Sequence, residues 1–197
     1  MSWQNLDPQT CPSLLTSLNQ VETLYHFNSD DTGLSSQALD FYPGAHLLRV
    51  TLISWPATED ALWYVQTPDK KIINLNGKLS RIHQLNVNFP LKLSIETLKN
   101  YLKFRLFFEL KHGFRSLIVE DMERFKHIRE SDRKNILNLL TPFTFTQRAG
   151  LFSISYCYHL RDRIFQATAT LDGNGLLTET TKKELPYSLK LINAPYF

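Results

Sequence analysis

Residues 101–114, YLKFRLFFELKHGF, constrain the fold of this chain more than any other stretch. The preceding segment offers Ser94 as a cap and Glu96 for the positive helix end, so a helix is expected over residues 94–111. At 100° per residue, Leu98, Leu102, Leu106 and Leu110 fall within about 60° of Ile95. Tyr101, Phe104, Phe107 and Phe108 fall on the opposite side. Lys99, Asn100 and Lys103 follow one seam between the two flanks, and Arg105, Glu109 and His112 the other. A membrane-surface helix needs one apolar and one strongly cationic face. Two apolar flanks instead predict a brace withdrawn from water on both sides, its leucines on a sheet and its rings against the N-terminal helix, a second subunit or a cavity. The competing fold of the same residues is a hairpin turning at Lys111-His112-Gly113, because Phe-Phe and Leu-Ile-Val also suit strands.

The surrounding sequence supplies the sheet. Residues 12–26 repeat Leu14, Leu15, Leu18, Val21, Leu24 and Tyr25 at helical spacing after Pro12, and a polar loop is expected to follow. Tyr42-Pro43-Gly44 reads as a tight turn. Residues 45–54, 61–67 and 70–76 read as three strands of a meander, with WPATED (55–60) as a connection. RIHQLNVNFPLKL (81–93) has mixed character, with Pro90 forcing Phe89 out of the helical region, and His83 is placed in a loop. RSLIVE (115–120) is a buried strand. Residues 121–140 suggest two short helices, the second capped by Ser131 or Asp132. GLFSISYCYHL (150–160) alternates Phe152, Ile154, Tyr156, Tyr158 and Leu160 against Ser153, Ser155, Cys157 and His159. IFQATATL alternates likewise, DGNG (172–175) suits a hairpin turn, and LLTETTKKEL is expected at a sheet edge.

The fold class is therefore α+β: one domain over residues 1–197, with an antiparallel sheet of five to seven strands in meanders and hairpins and helices packed on one face. Its parts are an N-terminal helix and loop (1–40), strands with the central helix (45–120), and short helices with C-terminal hairpins (121–197). A chain of 197 residues is within the range of a single core. No apolar run approaches the roughly 18 residues that cross a bilayer. The N-terminus lacks the cationic start and apolar stretch of a secretory signal, so a cytoplasmic location is expected. With only Cys11 and Cys157, no disulfide network carries stability.

Charge is segregated: residues 1–68 are strongly acidic and residues 69–134 strongly basic. Lys99, Lys103, Lys111 and Arg115 form the basic patch through which nucleic acid would bind. Mutual cancellation of the two fields is the simpler expectation, so nucleic acid is not an expected partner.

Chemistry-bearing motifs are sparse. The sequence has no phosphate-cradling Gly-rich loop, dinucleotide fingerprint, paired-Cys zinc spacing or nucleophile elbow, so no cofactor and no metal are expected. The candidate catalytic groups are His83, Glu120, Cys157 and His159. Cys157 and His159 share a strand face two positions apart, as a thiol and its base would; the simpler reading is a half-buried Cys beside a solvent-facing His. Glu120, Asp121, Glu123 and His127 could touch a cation, although their spacing fits no fixed ligand set.

Residues 75–120 resemble a family of uncharacterised bacterial proteins in which a Gly-terminated strand, an IHxxN loop, a Leu-Ser/Thr cap, a YLxF aromatic helix and a strand of the LIVE type follow in order. The YPG turn and the final hairpin are similar too. The resemblance implies a bacterial cytoplasmic domain and no activity. The basic KHGFRS turn departs from the acidic turn expected there.

From these features the expected function is a non-enzymatic protein-interaction or self-association module, with Tyr101, Phe104, Phe107 and Phe108 as the ligand or partner surface. One alternative is a small-molecule-binding protein or enzyme with a cavity between the sheet and the aromatic helix flank. The other is nucleic-acid binding through the basic middle third.

Overall fold

A computed structural model describes residues 2–54, 61–75, 77–111, 113–123, 125, 128 and 130–189. The fold is α+β, and the described residues form ten strands in two antiparallel five-stranded sheets. The first sheet is a meander of β1 (Gln4–Leu6), β2 (Thr32–Ala38), β3 (His46–Leu52), β4 (Leu62–Gln66) and β5 (Ile72–Asn74), ordered as in the chain. In the second, β8 (Leu151–Leu160) pairs along one edge with β9 (Arg163–Leu171), which pairs with β10 (Leu177–Ser188). The other edge of β8 is shared by β7 (Thr144–Arg148) and β6 (Ser116–Ile118). A single sheet of five to seven strands is thus replaced by two. Local alternation identifies strands but not their neighbours, and β6 finds its partner in β8 some forty residues later.

Side-chain parity fixes the layers. In β3 and β4, Leu47, Trp63 and Val65 point into the main core, while Leu48, Val50 and Tyr64 meet Leu15 and Leu18 of α1 (Pro12–Val21) on the opposite face. In β8 and β9, Phe152, Ile154, Tyr156, Tyr158, Ala167 and Ala169 enter the same main core. Cys157 and Ile164 face outward, beneath Ile136 of α4 (Glu130–Leu139). Between the sheets lie α2 (Leu79–Asn88), which contributes Ile82 and Leu85, and α3 (Leu98–Phe108). The order is α1, first sheet, α2 with α3, second sheet, α4.

The brace helix is α3, shorter than the expected 94–111; within it both flanks are dry, whereas Ile95 and Leu110, expected on the leucine flank, lie outside it and are exposed. Leu98, Leu102 and Leu106 are buried, as are Tyr101, Phe104, Phe107 and Phe108. The rings meet none of the three neighbours expected of them. They fill the space against the first sheet, edge-on to Phe41 and Tyr42 of the β2–β3 turn and to Trp63 of β4, with centroids 5.3–6.0 Å apart. α1 lies on the other face of that sheet. Where the sheet-to-helix cavity was expected, aromatic side chains interlock at the spacing that aromatic pairs prefer.

Four local readings change. Residues 32–38, TGLSSQA, form β2 rather than a polar loop, because β1 and β3 supply pairing on both sides. Residues 79–88 form α2, so His83 is helical; Phe89 ends it in extended backbone, as Pro90 requires. α1 stops at Val21 because the Glu22 carboxylate accepts the backbone N–H groups of Thr23 and Leu24 at 3.0 and 2.9 Å. α4 already begins at Glu130, which puts Ser131 and Asp132 inside its first turn, and the described residues of 121–129 form no helix. The connection at residues 55–60 lies outside the described residues, as does the seam residue His112.

Candidate functional site

The predicted catalytic residues are scattered by the layers. His83 is on the exposed side of α2. Glu120 follows β6 and joins Lys99 at 2.5 Å and Lys103 at 3.5 Å. Its partial burial would raise its pKa, but the two ammonium groups win and hold the carboxyl below its ordinary range. Cys157 and His159 face away from α3 and are almost fully buried. This corrects the reading of a half-buried Cys beside a solvent-facing His, since both groups are interior. Burial pushes the Cys157 thiol up, and its sulfur accepts the Thr141 N–H at 3.2 Å. The His159 Nε2–H donates to the Leu189 carbonyl at 3.0 Å. The partners of both groups are thus backbone, Thr141 for the thiol and Leu189 for the imidazole. Among the described residues, no three His, Cys, Asp or Glu side chains could hold a metal; His127 lies outside them.

His159 gives the chain a pH dependence with a definite sign. Burial lowers its pKa below the ordinary value, with the Leu189 carbonyl and Asp162 acting in opposition. The unfolded chain therefore takes up a proton first, and stability falls as pH drops from about 6.5 towards the folded value. Urea unfolding between about pH 7.5 and 5 is expected to show this loss. The slope should flatten in His159→Gln; an unchanged slope would assign the effect elsewhere.

The basic patch is engaged within the chain. Lys99 and Lys103 hold Glu120, Lys111 lies 3.7 Å from Glu179, and the Arg115 guanidinium stacks 4.5 Å from the Phe107 ring centroid. The four aromatic residues expected to form a partner surface are interior, so any contact surface has to be built from other groups.

Such groups gather where α1 ends. A cleft of about 450 Å³ opens between the turn after α1 and the β4–β5 edge of the first sheet. Ala61, Leu62, Trp63 and Leu75 line it, with Val21, Leu24, Tyr25 and Leu110 also exposed to solvent. Leu24 is 81% exposed, the consequence of the helix ending before its periodic pattern does. The Glu22 carboxylate lies at the cleft and is fully engaged. Besides the two N–H groups, it accepts the Tyr64 hydroxyl at 2.6 Å and the Asn74 amide at 3.3 Å. Arg115 is the cation on the lining. Sequence reading placed Val21, Leu24 and Tyr25 on a buried helix stripe. The one available signal was Glu22 followed by Thr23, since side chains that bond neighbouring backbone compete with helix.

Comparison of the chain with family models, curated proteins and solved structures finds no match. Among the described residues, no helix is long and apolar enough to cross a membrane.

Proposed function

We propose that this chain is a non-catalytic protein-interaction module, and that it receives an apolar side chain of a partner protein in the cleft beside α1. The observation that carries this reading is the coincidence of the cleft with Val21, Leu24, Tyr25 and Leu110, four large apolar residues left exposed around one opening. The volume suits one or two inserted side chains and falls in the range of ligand pockets, about 300–1,000 Å³. Truncating an anchor in such a pocket typically costs 2 kcal/mol or more of binding.

The sheet edges favour a side-chain anchor over strand addition. β1 and β5 are three residues each, and β10 carries register shifts together with Lys182, Lys183 and Pro186, all features that discourage edge pairing. A cytoplasmic setting is part of the proposal, supported by two free cysteines, one of them buried.

Peptide-display selection against the folded protein tests the reading. Selected peptides are expected to share an apolar anchor and to lose at least about thirtyfold in affinity for Leu24→Asp, the equivalent of 2 kcal/mol. Peptides that bind Leu24→Asp as tightly as the parent would sink the proposal. Sedimentation of the parent protein separates a foreign partner from a second copy, because self-association through the cleft would be concentration-dependent and abolished by the same change.

A further inference from the structure

A partner that only inserts a side chain into the cleft would fill the hollow lined by Leu62, Trp63 and Leu75 and leave its rim in water. That rim is Leu24, 81% exposed, flanked by Val21 at 37% and Tyr25 at 40%. Projection and hollow lie side by side on one patch. A two-fold interface requires this arrangement, because the same surface of each copy must be complementary to itself.

The projection is held ready for insertion. The Thr23 and Leu24 N–H groups donate to the Glu22 carboxylate, which Tyr64 and Asn74 of the first sheet fix in turn. A side chain carried on backbone pinned in this way loses little freedom when a partner buries it. The opposite wall extends the patch. Leu110 and Arg115 line the cleft at the two ends of a tight turn, closed by hydrogen bonds of 2.9 and 3.0 Å between the Lys111 and Phe114 backbones. The Phe114 ring on that turn is 45% exposed.

The charges of the patch are self-complementary as well. Glu22 is tied to the first sheet, whereas Arg115 leads into β6 of the second, so one wall carries an acid and the other a base. Turned about a two-fold axis, the Arg115 of each copy approaches the partner's Glu22. Opposite charges facing in this way fix the register of the two copies and speed their encounter, more than they add affinity.

We infer that the partner received by the cleft is a second copy of this chain, in a two-fold dimer in which Leu24 of each copy enters the cleft of the other. This inference rests on the reading of the cleft as a receptor for a side chain. The lining is smaller than the roughly 20–30 residues a side of a standard interface, so the dimer is weak and dissociates on dilution.

Sedimentation velocity of the full chain over a wide dilution series tests this. The parent protein is expected to pass from dimer to monomer as it is diluted. Leu24→Asp should weaken the dimer roughly a thousandfold, the thirtyfold of one lost anchor applied twice. A mixed dimer of parent and Leu24→Asp keeps one insertion and should be about thirtyfold weaker than the parent dimer. Val87, 84% exposed on α2, is not on the lining, so Val87→Asp should dimerise as the parent does. A parent protein that is monomeric up to its limit of solubility overturns the inference, as does a dimer that Leu24→Asp leaves intact or that Val87→Asp weakens equally. Peptide selection then separates the two readings. A monomeric parent whose cleft still binds selected peptides through Leu24 keeps the interaction reading with a foreign partner, and one that binds none loses both.

Discussion

Phe104→Ala is expected to destabilise the protein by about 4 kcal/mol, close to the limit of what one core substitution removes. Phe104 is fully buried and packs against Phe41, Tyr42 and Phe108 at centroid distances of 5.3, 6.0 and 4.9 Å. Alanine there forfeits the transfer energy of the ring, leaves a cavity among aromatic side chains that cannot collapse around it, and breaks several ring contacts at once. The control is Phe114→Ala. That ring is 45% exposed and faces the Arg161 guanidinium at 4.4 Å, so its loss should cost about 1 kcal/mol or less. Chemical denaturation of the two variants measures the contrast. Equal, small losses would mean that the aromatic flank of α3 is not the filled core described above.

Gly175→Ala is the second large effect, about 3 kcal/mol or more. Gly175 has φ +77°, where an L side chain is strained by roughly 1–2 kcal/mol. A Cβ at this position would also collide with the Tyr101 hydroxyl and the Asn86 amide. Those two groups cannot simply retreat. Tyr101 donates to the Gly175 carbonyl at 3.0 Å, Asn86 donates to Tyr101 at 2.8 Å and to the Asn174 carbonyl at 2.9 Å, and Tyr42 donates to Asn86. Displacing one loosens a network that ties α2, α3 and the β2–β3 turn to the β9–β10 turn. Gly150 has nearly the same φ, +78°, with open space where its Cβ would be. Gly150→Ala should therefore cost only the backbone strain. The difference in unfolding free energy between the two variants isolates the steric part, and parity between them would refute the close approach.

Much of this network was visible in fragments. Asp172 to Gly175 read as a turn needing positive φ, and Asp172 does accept the N–H groups of Asn174 and Leu176. Tyr42-Pro43-Gly44 read as a tight turn, and Gly44 has φ +77°. Nothing local indicated that the two turns approach each other across α3, or that Asn86, between them, belongs to a helix. Helix α2 was missed because its start at Lys78 has no side-chain cap and its asparagines are poor helix formers. Its Ile82 and Leu85 nonetheless fit one buried face, and that burial outweighs the weak propensity. β2 was missed for the opposite reason: Gly33, Ser35 and Ser36 favour turns, yet pairing along both edges satisfies their backbone.

The candidate sites were less legible than the fold. Leu24 and Tyr25 continue a helical stripe in the sequence, so their exposure at the cleft depends on Glu22 ending the helix. Arg105 and Glu109 were assigned to one polar seam, and they pair there. The burial of Arg105 was not foreseen, because a seam between two apolar flanks is solvated on a lone helix and becomes interior only when a second sheet closes over it. Cys157 and His159 alternate with buried residues and so read as the wet face, until α4 covers that face.

The sequence by itself determined the strong periodicities: the alternation of β8 and β9, the turns that need glycine, and two apolar flanks on the helix carrying Tyr101 to Phe108. These are properties of neighbouring residues, set by 3.6-residue and two-residue repeats and by backbone sterics. Only the tertiary structure decided that the strands divide into two sheets, that the aromatic flank meets the first of them, and that Leu24, Leu110 and Arg115 border one cleft. Such choices rest on burial and on pairing between segments far apart in the chain, whose free energy exists only once the layers have closed.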